Sequence, residues 1–201
     1  MKFHPDFSGF RSLARKGSHV PVYCDVLADF ETPVSAFCKI RSGHSFLLES
    51  VEGGENICMY SFLGADPSLV FTSRDGFLRI QGRTGSAHFK SGDPLGELKK
   101  IMLKYRPVEV NGLPPFTGGA VGFMSYDAVR HFEKLPDKNG DDLCFPDFYF
   151  IIAGTILVFD HVRHTIKVVS NVSADGRLKD RYDEAVRGIK KTMRLLKKEI
   201  R

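Results

Sequence analysis

The stretch FLLESVEGGENICMYSFLG, residues 46–64, decides how the rest of the chain is read. Both ends are apolar, and the middle, Gly53-Gly54-Glu55-Asn56, has the composition of a hairpin loop. Two antiparallel strands are therefore expected, at 44–52 and 57–64. A strand that only builds a core would not turn to Glu49 and Ser50 straight after Phe46-Leu47-Leu48. Those two side chains bring acceptor oxygens and a hydroxyl that both donates and accepts. At the rim of an apolar sheet they suit a small ligand with an ammonium group and an apolar ring. They equally suit the plain task of satisfying backbone groups at a strand end, and the residues alone leave both readings open.

On the N-terminal side, residues 20–40 hold a lead-in segment and then a short helix. Thr32-Pro33 supplies a cap and a first-turn proline, and Val34, Phe37 and Cys38 follow at helical spacing. On the C-terminal side, shorter strands are expected at 68–73, 77–81 and 84–89, separated by Arg74-Asp75-Gly76 and Gly82-Arg83. A second helix starts at Asp93-Pro94 and lines one face with Leu95, Leu98, Met102 and Tyr105. Residues 106–116, with three prolines, read as a loop.

TGGAVGFMSYDAVRHFEKLP, residues 117–136, reads as a glycine-rich strand entering a helical turn, and 138–146 as a polar loop. DFYFIIAGTILVFDH (147–161) and TIKVVSNV (165–172) read as two long apolar strands joined at His161–His164. The last helix carries a stripe of Leu178, Tyr182, Val186, Ile189, Met193, Leu196 and Ile200, with no glycine cap or proline stop. The pattern predicts an α+β fold over residues 1–201, with largely antiparallel sheets and flanking helices.

The formal net charge is +5. Residues 175–201 hold ten Lys or Arg and five Asp or Glu, so the rest of the chain is neutral. A basic terminal helix without interleaved aromatic residues has the character of a solvated face, and nucleic acid is not an expected partner. No apolar run reaches the roughly 20 residues that span a bilayer. Met1-Lys2-Phe3-His4-Pro5-Asp6 lacks the features of a signal peptide. Cys24, Cys38, Cys58 and Cys144 are far apart and form no C-x-x-C pair. Free thiols and a cytoplasmic address are expected, with no membrane partner.

Self-sufficient chemistry is hard to assemble from the remaining motifs. Gly118-Gly119-Ala120-Val121-Gly122 lacks the Lys-Ser or Lys-Thr of a phosphate loop, and it continues as a strand rather than opening a helix. Glycines inside a strand instead permit close approach of another backbone. His161 and His164 sit at a turn with no third metal ligand nearby in sequence. Asp127 and Arg130 read as partners three apart on a helical turn. No serine lies in a G-x-S-x-G elbow.

Four blocks, VPVYCDVLADFETPVSAFCKI (20–40), FLLESVEGGENICMYSFLG, GGAVGFMSYDAVRHFEKLP (118–136) and PDFYFIIAGTILVFDH (146–161), resemble the N-terminal domain of anthranilate synthase component I, of the chorismate-utilising enzymes. The resemblance implies that this sheet is one part of a larger two-domain sandwich. It implies that Leu48, Glu49 and Ser50, with Met59 and Tyr60 from the paired strand, line a pocket for feedback inhibition by L-tryptophan. Met59 stands where the family usually has arginine, so one cation is missing from that set.

The resemblance further implies that residues 1–201 are a regulatory domain without its C-terminal catalytic domain. That domain would bind chorismate and Mg2+, and a glutamine amidotransferase subunit (component II) would supply ammonia, giving anthranilate and pyruvate. This stretch alone is then expected to be inactive, with no catalytic residue, metal ligand or cofactor of its own. Two other readings stand beside this one: the corresponding domain of aminodeoxychorismate synthase component I, and a free-standing amino-acid sensor.

Overall fold

In the computed structural model, residues 1–28, 31–49, 59–83, 85–136 and 140–200 are described. The chain forms two compact units, each built on one five-stranded sheet. The first comprises Met1–Pro67, Tyr105–Gly119 and Ala153–Arg201; the second comprises Ser68–Lys104 and Ala120–Ile152.

In the first unit, strands β1 (His19–Leu27), β2 (Ser45–Leu48), β3 (Tyr60–Ala65), β9 (Thr155–Asp160) and β10 (Thr165–Ser173) pair antiparallel in the order β1-β10-β9-β3-β2. Helices α1 (Phe7–Leu13), α2 (Pro33–Ile40) and α4 (Leu178–Leu196) pack on one face of this sheet. Thr32 caps α2 as its sequence predicts: its hydroxyl accepts from the Ser35 N–H at 3.1 Å, while Ser35 Oγ accepts from the Thr32 N–H at 2.9 Å. Ala36, Ile40, Ala185 and Ile189 then meet Leu63, Leu157 and Val168 in one buried cluster.

In the second unit, β4 (Leu69–Arg74), β5 (Phe77–Gly82), β6 (Gly85–Lys90), β7 (Gly119–Met124) and β8 (Phe148–Ala153) form a sheet in the order β6-β5-β4-β8-β7. Helix α3 (Pro94–Lys104) begins where Asp93 Oδ1 accepts from the Gly96 N–H at 2.8 Å. Its Leu98 packs with Phe71, Leu78 and Phe148. A 3-10 turn spans Tyr126–His131, and there Arg130 Nε donates to Asp127 Oδ1 at 3.0 Å, the partnership read from the sequence.

Three expectations need correction, and one helix went unread. The lead-in before α2 is a nine-residue strand, β1, in register with β10 from His19↔Ser173 to Leu27↔Thr165. Pro21 masks it, yet β1 is an edge strand, where a missing N–H is tolerated. Residues 147–161 are not one strand: β8 and β9 lie either side of Gly154 and belong to different sheets. Helix α4 stops at Leu196, whose carbonyl accepts from Lys39 Nζ at 3.0 Å, so Ile200 lies beyond the helix and is exposed. Helix α1 carried no periodic signal long enough to read; Asp6 caps it by accepting from the Gly9 N–H at 2.8 Å. The hairpin connector at 53–56 lies outside the described residues.

Candidate functional site

Period-two alternation sorts β2 and β3 onto two faces. Leu47, Leu63 and Ala65 join the helix-covered core. Leu48 pairs with Phe62, and Phe46 with Gly64, on the opposite face. There Tyr60 lies opposite Asp160 and Phe62 opposite Val158. A Cβ at position 64 would fall 2.3 Å from Phe46 Cε1, so the glycine that ends YSFLG makes room for that ring.

The result is a wall with an aromatic stripe. The Tyr60 and Phe62 centroids are 6.1 Å apart, and Phe116 meets Phe62 edge-on at 5.2 Å. Val158 behind it is fully buried. At the rim, Leu48 is 45% exposed, Met59 is 36% exposed and Glu49 is exposed as well. Ser50, the remaining residue of the expected set, lies outside the described residues. A flat apolar surface with a carboxylate at its edge can meet an aromatic ring on one side and an ammonium group on the other.

Neighbouring polar groups are already committed. Asp160 is buried, and its Oδ1 accepts from the N–H groups of Val162 and Arg163 at 3.1 and 2.9 Å, closing the β9–β10 turn. His161 donates its backbone N–H to the Met59 carbonyl at 3.0 Å, and its Nε2 lies 2.8 Å from Ser61 Oγ. This Ser–His contact is not an exposed nucleophile, because Ser61 is 2% exposed and faces the helix-packed side. Among the described residues no group of three or more His, Cys, Asp or Glu is placed to hold a metal.

Sequence reasoning missed Phe62 and Phe116. Phe62 was signalled by its position two residues after Tyr60; Phe116 comes from a loop 54 residues away and carried no local signal. Cavities of about 540 Å³ beside Pro107–Pro115 and Thr117, and about 630 Å³ beside Cys38, Lys39, Arg41 and residues 198–200, are lined by other residues.

The glycine run serves packing. Gly118 and Gly119 have φ of +149° and +133°. A Cβ on Gly118 would lie 2.6 Å from Asn171 Nδ2 and 3.0 Å from the Tyr105 hydroxyl. Asn171 donates that amide to the Thr117 carbonyl, and the His19 ring lies tilted against Tyr105, with centroids 4.3 Å apart.

Burial holds the His19 imidazole below its ordinary range, an effect that Asp175 partly opposes. A lowered folded-state pKa means the unfolded chain takes up the proton first, below pH about 6.5. Stability is therefore expected to fall as pH drops from 7 through 6. Urea midpoints of the wild-type and His19→Gln proteins at pH 7.5 and 5.5 check this: the variant should lose part of the decline. Equal declines would show that His19 titrates alike in both states.

Residues 43–199, more than half of the chain, match the family model described as chorismate binding enzyme. The chain belongs to that family. Similar proteins include anthranilate synthase component 1 of Acetivibrio thermocellus, 38% identical over 189 residues, covering 94% of this chain and 38% of that protein. The same-named protein of Aquifex aeolicus is 34% identical over 189 residues, covering 93% of this chain and 38% of its own length. The chain thus spans well under half the length of these relatives. The crystal structure of anthranilate synthase component I from Streptococcus pneumoniae matches with a TM-score of 0.55 over 87% of this chain and 37% of that one, at 22% identity, and shares the α+β fold. No helix among the described residues is long and apolar enough to cross a membrane.

Proposed function

We propose that this chain is the tryptophan-binding N-terminal part of an anthranilate synthase component I. The observation that carries the proposal is the wall on β2 and β3, where Leu48, Tyr60 and Phe62 share one face beside the exposed Glu49. The relatives' names support the enzyme, since both are called anthranilate synthase component 1 over nearly the whole of this chain. Tyr60, Phe62 and Phe116 supply aromatic surface for an indole, and Glu49 with Ser50 supplies hydrogen-bonding groups for the amino-acid end. Chorismate chemistry, Mg2+ and the contact with a component II amidotransferase belong, in this reading, to the rest of a longer protein. In the intact enzyme they give anthranilate and pyruvate, in the cytoplasm, under feedback from tryptophan.

The isolated chain should show no anthranilate formation from chorismate, magnesium and ammonia, and it should bind tryptophan only weakly. A micromolar site corresponds to about −8 kcal/mol. One wall supplies part of those contacts while the full cost of immobilising the ligand remains. NMR titration should move the amides of Leu48 and Tyr60 selectively, without saturating below millimolar tryptophan. Scattered or absent shifts would overturn the site, and saturation near micromolar tryptophan would favour a free-standing sensor.

In the intact enzyme, a hydrogen bond from Ser50 to a charged ligand group would contribute about 1.5–3 kcal/mol. Ser50→Phe should therefore weaken tryptophan inhibition about tenfold or more, with turnover nearly unchanged. Unchanged sensitivity would remove Ser50 from the site.

A further inference from the structure

An amino acid with an aromatic side chain brings a ring, an ammonium group and a carboxylate to any surface that binds it. Tyr60 and Phe62 meet the ring and Glu49 meets the ammonium group, but Leu48 and Met59 carry no charge for the carboxylate. A carboxylate held near Glu49 needs a cation, and a few placed polar groups of this kind fix a ligand's orientation. Strands β2, β3, β9 and β10, with the turn joining the last two, carry four basic side chains: His161, Arg163, His164 and Lys167.

Three of these are turned elsewhere. Lys167 stands in the row of Phe62 and Val158, but its Nζ is bonded to Asp25 Oδ1 and lies 5.1 Å over the Tyr23 ring, on the β1 side of β10. His161 places its Nε2 at Ser61 Oγ, on the helix-packed side of the sheet. His164 sits at the β1 end of the turn, where its carbonyl accepts from the Ala28 N–H at 3.2 Å.

Arg163 is placed differently. Its N–H donates to Asp160 Oδ1 at 2.9 Å, and its Nε lies 4.0 Å from Asp160 Oδ2. Asp160 pairs with Tyr60 across β9 and β3, and directly paired residues of antiparallel strands share a face. The guanidinium is thus tethered at the rim of the wall, beside Tyr60. Its side chain is 71% exposed, and among the described residues no second carboxylate binds it. The turn is fastened there by the His161 N–H on the Met59 carbonyl, at 3.0 Å.

We infer that Arg163 receives the carboxylate of the ligand on this wall, so that the site prefers an α-amino acid to the corresponding amine. The inference rests on the tryptophan site proposed above. Asp160 engages the Nε side of the guanidinium, which leaves the Nη groups for the ligand, and a planar fork of donors matches a carboxylate in geometry as well as charge. Position 59 contributes a thioether, and the β9–β10 turn beside it supplies the cation.

Tryptamine tests this, because it keeps the indole and the ammonium group and lacks the carboxylate. In NMR titrations of the 201-residue chain, the shifts of the Leu48 and Tyr60 amides should rise about fivefold more steeply with tryptophan than with tryptamine, the size expected of an exposed ion pair. Arg163→Gln should bring the two slopes together by lowering the tryptophan one, and Arg163→Lys should keep part of the difference. Arg187→Gln removes the same charge from an exposed position on α4, across the sheet from the wall, and should keep the wild-type ratio. Equal slopes in the wild-type chain, an undiminished ratio in Arg163→Gln, or an equal loss in Arg187→Gln would overturn the role of Arg163 and leave the tryptophan site standing. Absence of selective shifts with either ligand in the wild-type chain would overturn the site itself, and Arg163 with it.

Discussion

Replacing Gly122 with alanine is expected to destabilise the second unit by about 3 kcal/mol, the upper part of the usual range for overpacking. The added Cβ would lie 1.9 Å from the Tyr149 carbonyl oxygen and 2.7 Å from Phe150 Cα. Both are main-chain atoms of β8, so no side-chain rotation relieves the contact and the two strands must separate. Phe123 would also lose its stacking on Tyr149, where the rings now lie 5.6 Å apart and 15° from parallel. Gly85→Ala is the matched control, because a Cβ there meets nothing within 4 Å. Denaturation of the two variants by urea should differ by most of the predicted cost. Equal midpoints would show that β7 and β8 do not approach so closely.

The close approach at Gly122 was legible in kind, since glycines inside a strand permit another backbone to come near. Its partner was not, because Tyr149 is 27 positions away in sequence. The same division runs through the whole fold. Caps at Thr32 and Asp93 are local chemistry, and both helices begin where those residues place them. The strands flanking Gly53-Gly54 follow from local composition, and period two puts Leu48 and Tyr60 on one face.

Local signals fail where tertiary context decides. An apolar run reads alike whether it stays in one sheet or, as at Gly154, leaves one for another. Pro21 argues against a strand until β1 is known to be an edge. Phe116 reaches Phe62 only because the loop folds back. Ser61 and His161, 100 residues apart, meet at 2.8 Å although nothing local pairs them.

Helix α1 is the largest such omission, and its core residue sets the other large prediction. Seven residues are too few for an isolated helix to persist in water, so α1 must depend on what it buries. Phe10 is fully buried within the core of the first unit, and its ring meets Tyr182 of α4 at 5.5 Å and 64°. Tyr182 in turn donates its hydroxyl to the Pro5 carbonyl at 3.3 Å, just ahead of the Asp6 cap. Phe10→Ala should therefore cost about 3–5 kcal/mol, from lost transfer energy and the cavity left behind. Val162→Ala, at a 66% exposed position in the β9–β10 turn, should stay within about 0.5 kcal/mol of wild type. Phe10 lies far in sequence from the wall on β2 and β3, so tryptophan should shift the same amides in any fraction of the variant that remains folded. A Phe10→Ala protein within about 1 kcal/mol of wild type would mean that α1 is not docked on the sheet and that the first unit holds without it.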